Sequence, residues 1–503
     1  MTGVRLGRSS ASWLRKPGNV PASEGPMFSE RITIRGIPLF ILKQHLLLHW
    51  VLPGAVLAVS AVVGLLASQT SLIAYGILGL VAAIAGAIFL LRWPGLGFPL
   101  IVVSSLLVPF SIGTGTQTSI NATVLMISAM IGLWVLEMLT QEKRITIAAS
   151  RPLLPLFLFM ISTLISLGFG QLLWFPSRGA SIAAQIGGVG IFLLSAGSFI
   201  LAAHRLERRW LRWMVWIFII LGTIYMIGIL VPYFPVRRMV FRTFQRAVMD
   251  SQFWLWITIL AFSQMLINTR LPIPVRLGLG VVTLLSLYTT FEVKQSWTSG
   301  WLPAIVAMGV TLFLVRPRLA VGLGAVFGLL LMLRSSAASE VIMAGDNSYS
   351  LMTRLEAWKI LFQIIARNPL FGVGPSNYYF YTPFFNILGY NVSFNSHNNY
   401  VDILAQTGIA GLILFLWFAV EIGLVGWTIR NRVPEGFDKA FIYGVIGGLA
   451  GMLTAAMLGD WVLPFVYNIG MEGLRASLLG WIFLGALVMY ERLYAASPEK
   501  VEN

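Results

Sequence analysis

Over 503 residues the chain is 57% hydrophobic and 11% charged, with a mean hydropathy of +0.82. Soluble domains carry roughly 25% charged residues, so this balance excludes a soluble enzyme and fits an all-α polytopic membrane protein. The net charge of +16 comes from Lys and Arg placed between apolar stretches, which argues for membrane lipids rather than nucleic acid as partners, and the absence of cysteine excludes disulfides and thiolate metal sites.

In chain order, residues 1–46 hold seven basic residues and no apolar stretch ending in a small-residue cleavage site. They read as a cytoplasmic basic tail ending in an interfacial segment, not a signal peptide. Apolar segments long enough to cross or enter a bilayer follow at 47–68, 71–92, 97–112, 120–140, 152–173, 187–203, 211–231, 252–268, 274–291, 300–315, 318–333, 404–428, 440–459 and 473–491. Several are short, so the expectation is about 12–14 transmembrane helices. This divides the chain into the tail, a bundle at 47–333 carrying an external Arg-rich loop at 232–251, a large external segment at 334–397 with amphipathic helices, transmembrane helices at 398–491 and a cytoplasmic tail at 492–503. Alternate connections and the two termini hold 24 of the 35 Lys and Arg residues, which places that face in the cytoplasm.

Two external segments break the charge rule. The first, "VPYFPVRRMVFRTFQRAVMDSQ", carries Arg237, Arg238, Arg242 and Arg246. Headgroup binding explains such arginines, and so does an anionic substrate; Arg242 and Arg246, four apart, are expected on one helix face. The second, 334–397, holds Arg354, Lys359 and Arg367. Its stretch "SYSLMTRLEAWKILFQIIARNP" predicts an amphipathic helix whose stripe of Leu351, Leu355, Trp358, Phe362 and Ile365 lies on the bundle or in the lipid interface, with Arg354 beside that stripe. Asn368-Pro369 ends it, and Gly372 and Gly374 in "FGVGPSN" allow either an ordinary turn or close backbone approach to a ligand.

The most polar cluster is "FNSHNNY", with Asn395, His397 and Asn398 at the head of a long apolar run. Ser396 or Asn395 is expected as the N-cap, with His397 in the first helical turn, where the helix end and nearby arginines favour the neutral imidazole that a general base requires. A structural histidine at a helix cap is the plainer alternative. The external acids Asp250, Glu292, Glu340, Asp346, Glu356, Asp402, Asp460 and Glu472 are scattered along the chain, so no metal site or cofactor is expected.

The order Arg354, Trp358, "NPLFGVG", a spacer, then "HNNYVDILAQTGIAG" running into a span resembles the O-antigen ligase and O-antigen polymerase superfamily over roughly residues 275–430. The resemblance implies a membrane glycosyltransferase of the GT-C class that moves a glycan from a polyprenyl-diphosphate donor to a glycan or lipid acceptor. It implies His397 as general base on the acceptor hydroxyl, and Arg354 with one or both of Arg242 and Arg246 as diphosphate contacts, to which Arg238 is added as a further candidate. Many members carry Ser-Arg-Gly before the large external segment; here "EVKQSWTSGWLP" offers Lys294 instead, a point charge without arginine's fork. Tyr378, Tyr379, Phe380 and Tyr381 suit sugar stacking or interfacial anchoring equally. The implied chemistry is metal-independent inversion at the outer face of the cytoplasmic membrane. A lipid-linked oligosaccharide flippase is the alternative, but the late-span acids Glu137 and Glu421 lie near cytoplasmic ends rather than mid-membrane.

Overall fold

The computed structural model describes residues 85–114, 119–293, 297–333 and 348–495. Within them helices dominate. Helix α1 (Ala85–Arg92) bends by 109° at Trp93–Pro94 into α2 (Gly97–Leu107). A small antiparallel hairpin, β1 (Ser111–Gly113) with β2 (Ser119–Asn121), leads into α3 (Ala122–Glu137). Helices α4 (Leu153–Phe169), α5 (Ile182–Arg205), α6 (Arg208–Leu230) and the short α7 (Phe234–Thr243) follow. Next come α8 (Ser251–Ile267), α9 (Ile273–Tyr288), α10 (Thr298–Val315), α11 (Pro317–Leu333), α12 (Ser348–Ile365) and a single turn, α13 (Tyr378–Tyr381). The chain closes with α14 (Asn399–Ile429), α15 (Phe437–Leu458) and α16 (Leu474–Ala495).

Eight helices among the described residues are long and apolar enough to cross a membrane, and the bent α1–α2 pair would make a ninth. Of the fourteen segments expected from sequence, 47–68 and most of 71–92 lie outside the described residues; each of the other twelve coincides with a helix. The shorter ones are too short to cross a bilayer unaided, for a physical reason. A helix of 17 residues such as α8 is about 25 Å long, less than the roughly 30 Å hydrocarbon core. Helix α8 is buried on all sides, so its length is set by protein neighbours, not by lipid. Helix α9, by contrast, exposes Leu277, Val281 and Leu284 at helical spacing, the stripe expected of a lipid-facing surface.

The centre of the bundle is α16, buried from Leu474 to Tyr490 and packed against α5, α14, α8 and α15. Close helix approach relies on small residues. A Cβ on Gly447 or Gly451 of α15 would sit 2.4 Å from the Ala307 carbonyl oxygen or 2.6 Å from that of Pro303, so α15 and α10 meet backbone to backbone. At one end of the bundle, buried Asp438 accepts from Tyr490 Oη at 2.7 Å and pairs with Arg208 and Arg212. At the opposite end, fully buried Arg475 binds Glu472 at 2.7 Å and the carbonyl oxygens of Ser104, Val108 and Phe110 at 3.0–3.1 Å. Glu472 in turn accepts from Ser111 and Ser119, which fastens the hairpin to the loop before α16.

Helix α12 and its following loop build a second, smaller core at this latter end, formed by Ala357, Leu361, Ile364, Val373, Tyr378 and Phe465 among others. The buried stripe is thus Ala357–Ile360/Leu361–Ile364/Ile365. Of the expected stripe, Trp358 and Ile365 join this core, whereas Leu355 and Phe362 are exposed at 45% and 51%. The tertiary partners, Tyr378, Tyr381, Val401 and Ala405, select a face one step round the helix. That rotation has a consequence for function, because Thr353 and Arg354 lie one turn before Ala357 on the packed side.

Candidate functional site

His397 is not in the first turn of α14 but one residue ahead of its cap. Asn398 is the N-cap, its Oδ1 accepting from Tyr400 N at 2.9 Å and Val401 N at 3.3 Å. Ser396 cannot serve because its hydroxyl is used elsewhere: it lies 2.7 Å from Asp402 Oδ1 and accepts from Asn398 N at 2.9 Å. The neighbours of Ser396 form a clamp. Trp358 Nε1 donates to its carbonyl at 2.8 Å, Tyr378 Oη accepts from its N–H at 3.4 Å, and Tyr378 also donates to Asp402. Held this way, the chain passes through His397 with φ +47°, a left-handed conformation uncommon outside glycine. The backbone strain is imposed by a built framework, and it leaves the imidazole exposed at the head of the helix.

Asn399, wholly buried, ties the head of α14 to the loop between α15 and α16: its Nδ2 donates to Leu463 O at 2.7 Å and its Oδ1 accepts from Val462 N at 2.9 Å. This brings Asp460 and Asn468 beside His397. Two adjoining cavities result, and His397, Arg354 and Asn468 line both. The first has an open volume of about 840 Å³ and also takes Arg246, Asp250, Trp297, Asp460, Trp461 and Glu472. The second, about 670 Å³, takes Thr353, Tyr379, Ser393, Phe394, Asn395 and Tyr467.

Three carboxylates from two stretches of sequence, Asp250 and the pair Asp460 and Glu472, therefore meet in one cavity, and each has structural partners. Asp460 accepts from Phe465 N at 2.9 Å and Asn468 Nδ2 at 2.7 Å. Glu472 is held by Arg475, and Asp250 Oδ1 caps α8 through Gln252 N at 2.7 Å. Burial pushes the Asp460 carboxyl above the usual carboxylate range, against the pull of the Phe465 N–H and of a positive charge on His397.

The sequence-derived site residues separate into groups. His397, Arg354, Arg246 and Asn395 line the cavities, while Asn398 supplies the cap. Arg242 and Arg238 sit exposed on α7 and line neither cavity. The expectation that Arg242 and Arg246 share a helix is corrected. Helix α7 stops at Thr243 because Phe244 turns into the core against Tyr225, ring centroids 5.3 Å apart, and Gln245 N bonds Leu106 O at 2.7 Å. Arg246 then begins a separate 3-10 turn leading to Asp250. Lys294 lies outside the described residues. Gly372 and Gly374, at φ +71° and +100°, serve chain crossings: Gly372 lies against the Ala405 and Gln406 backbone and Gly374 against Gly170. Lining residues that sequence reasoning did not assign to the site include Trp297, Asp460, Trp461, Tyr467 and Asn468. Four of them fall in "GDWVLPFVYN", a polar and aromatic interruption between two spans that is itself a readable signal.

A family model described as O-antigen ligase matches residues 259–416, from α8 into α14, and so encloses Arg354 and His397. The match spans about a third of the chain and supports membership of the O-antigen ligase/polymerase superfamily. No curated protein matches the chain. Similarity to this family supports a glycosyltransferase-type activity of the ligase or polymerase kind, with lipid-linked glycans as the substrate class. Arg246 and Asp460 lie outside the matched residues; the fold, not the match, adds them to the site.

Proposed function

We propose that this protein transfers a glycan from polyprenyl diphosphate to an acceptor hydroxyl at the outer face of the cytoplasmic membrane, with inversion at the anomeric carbon and without a metal. The observation that carries this reading is that His397 and Arg354, from two separate elements, line both of two adjoining cavities. In the proposed displacement the acceptor oxygen bonds to the anomeric carbon as the bond from that carbon to the diphosphate oxygen breaks. His397 takes the hydroxyl proton, and Arg354 and Arg246 hold the departing diphosphate. Guanidinium groups pair bidentately with phosphate oxygens, so they can stabilise the charge that develops on the leaving group. The cavity carboxylates support that division of labour, since Asp460 and Glu472 are taken up by Asn468, Phe465 N, Arg475 and two serines.

The orientation follows the charges. Helix α14 begins near His397 and ends at Arg430 and Arg432, and Arg208, Arg212, Lys439 and Arg492 occupy the same far end. The basic end is assigned to the cytoplasm, which puts His397 outside. Transport is the less favoured reading because the late-span acids are neutralised: Glu137 pairs with Arg205 at 2.7 Å and Glu421 with Arg151 at 2.9 Å. The test is transfer in proteoliposomes from a polyprenyl-diphosphate oligosaccharide in excess EDTA, with the product linkage read by NMR. A product of inverted configuration supports the proposal. Retention of configuration, or transfer that requires added Mg²⁺ or Mn²⁺, would refute it.

A further inference from the structure

We propose that the second cavity is the acceptor subsite and that it takes a carbohydrate chain, seated against Tyr467 and Tyr379. This rests on the transferase reading above and assigns the two cavities different substrates. The first argument is compositional. The first cavity joins Arg246 to the shared Arg354 and lies among the ends of spans, where a lipid-borne diphosphate arrives. The second has no Lys or Arg beyond Arg354 on its shared wall among the described residues lining it. In their place stand hydroxyls and amides: Thr353, Ser393, Asn395 and Asn468. Neutral donors and acceptors around an aromatic surface fit a sugar, whose hydroxyls need partners and whose C–H face needs an apolar plane.

The aromatic surface is held in place before any ligand arrives. Tyr379 and Tyr467 stack with centroids 4.8 Å apart and planes 12° from parallel, and Phe380 meets Tyr467 edge-on at 5.1 Å. Tyr378 stacks on Phe465 at 4.7 Å, so the layer is continuous with the clamp behind His397. Burial, and then the neighbouring Tyr379, push the Tyr467 hydroxyl up to about 12, so it stays a neutral donor at physiological pH.

The second argument is stereochemical. In a single displacement the incoming hydroxyl and the departing diphosphate lie on opposite sides of the anomeric carbon. Two cavities that meet at the base and one arginine supply those two sides. The cation-bearing one suits the diphosphate, which leaves the Tyr467 side for the acceptor.

The test is saturation-transfer NMR on the full-length protein in detergent micelles, with chitotetraose, cellotetraose and mannotetraose as probes and no donor present. At least one tetrasaccharide is expected to bind the native protein. Tyr467→Ala should weaken that binding about tenfold, the scale of one lost aromatic contact, while Tyr467→Phe, which keeps the stack, and Arg246→Ala should change it less than about threefold. Asn395→Ala provides a second probe of the same wall if Tyr467→Ala does not fold. Binding of no probe, or binding that Tyr467→Ala and Asn395→Ala leave intact, overturns the subsite. In turnover, Tyr467→Ala is expected to raise KM for the acceptor and not for the donor; the reverse pattern also overturns it. A native protein that binds a tetrasaccharide but releases no polyprenyl diphosphate would instead overturn the transferase reading and leave the sugar site standing.

Discussion

Arginines of the same chemical type are given different roles by position alone. Arg246 and Arg354 line the first cavity, whereas Arg238 and Arg242 stand exposed on α7 among Phe234, Met239 and Phe241, where contact with lipid headgroups is the natural role. Arg246→Ala and Arg354→Ala are each expected to lower turnover by about 10²–10³, as when one preorganised donor to a developing anion is removed. Arg238→Ala and Arg242→Ala should stay within about threefold of native in the same assay. Arg354→Lys should recover little, because an ammonium group lacks the planar fork. Asp460 makes a pH prediction. Its folded-state carboxyl lies above the ordinary carboxylate range, chiefly through burial. The folded protein therefore binds more protons there than the unfolded chain, and the contribution, complete at pH below that ordinary range, is lost as pH rises through the folded value. Thermal melting of the native protein should fall across that window more steeply than melting of Asp460→Asn.

At the scale of elements, the clamp around Ser396 links α12, α13 and α14 through one residue. Asp402→Ala removes the acceptor for Tyr378 and Ser396 and leaves both buried donors short, which should lower stability by about 1–3 kcal/mol. Asp402→Asn keeps an acceptor oxygen and should retain most of the activity. If the clamp acts through His397, then adding Ser396→Ala to His397→Ala should cause no further fall in turnover, although Ser396→Ala alone is slow; additive losses would show a role unconnected with the imidazole. The sequence displayed parts of this arrangement and hid others for identifiable reasons. A lone histidine among amides at the head of a span was conspicuous, and so was Arg354. The cap was misplaced by two or three residues because the Ser396 hydroxyl is engaged by Asp402, six positions on, a tertiary commitment that local rules do not register. Helix α7 was read too long because only the packed structure shows Phe244 leaving the helix for Tyr225. Asp460 and Asn468 came from a different loop, drawn in by Asn399, and no spacing rule joins them to His397. The helices themselves were legible because runs of apolar residues at bilayer length have few other solutions.

Across the described bundle, buried α16 and the paired charges at the two ends define one basic end and one end carrying the cavities. The absence of native cysteine makes its orientation directly testable. Asn391→Cys, in the exposed loop before His397, is expected to react with a membrane-impermeant maleimide on intact spheroplasts; Glu435→Cys, exposed at the basic end, should react only after permeabilisation. The opposite pattern would place the candidate site in the cytoplasm and remove the proposed substrate face. The most direct test of the chemistry compares native protein with His397→Ala in liposomes holding a polyprenyl-diphosphate oligosaccharide and an acceptor glycan, in excess EDTA. The native protein is expected to release polyprenyl diphosphate and His397→Ala to release at least about 10²-fold less, the lower range for loss of a general base. Equal release by the two would contradict His397 as the base on which the whole arrangement is built.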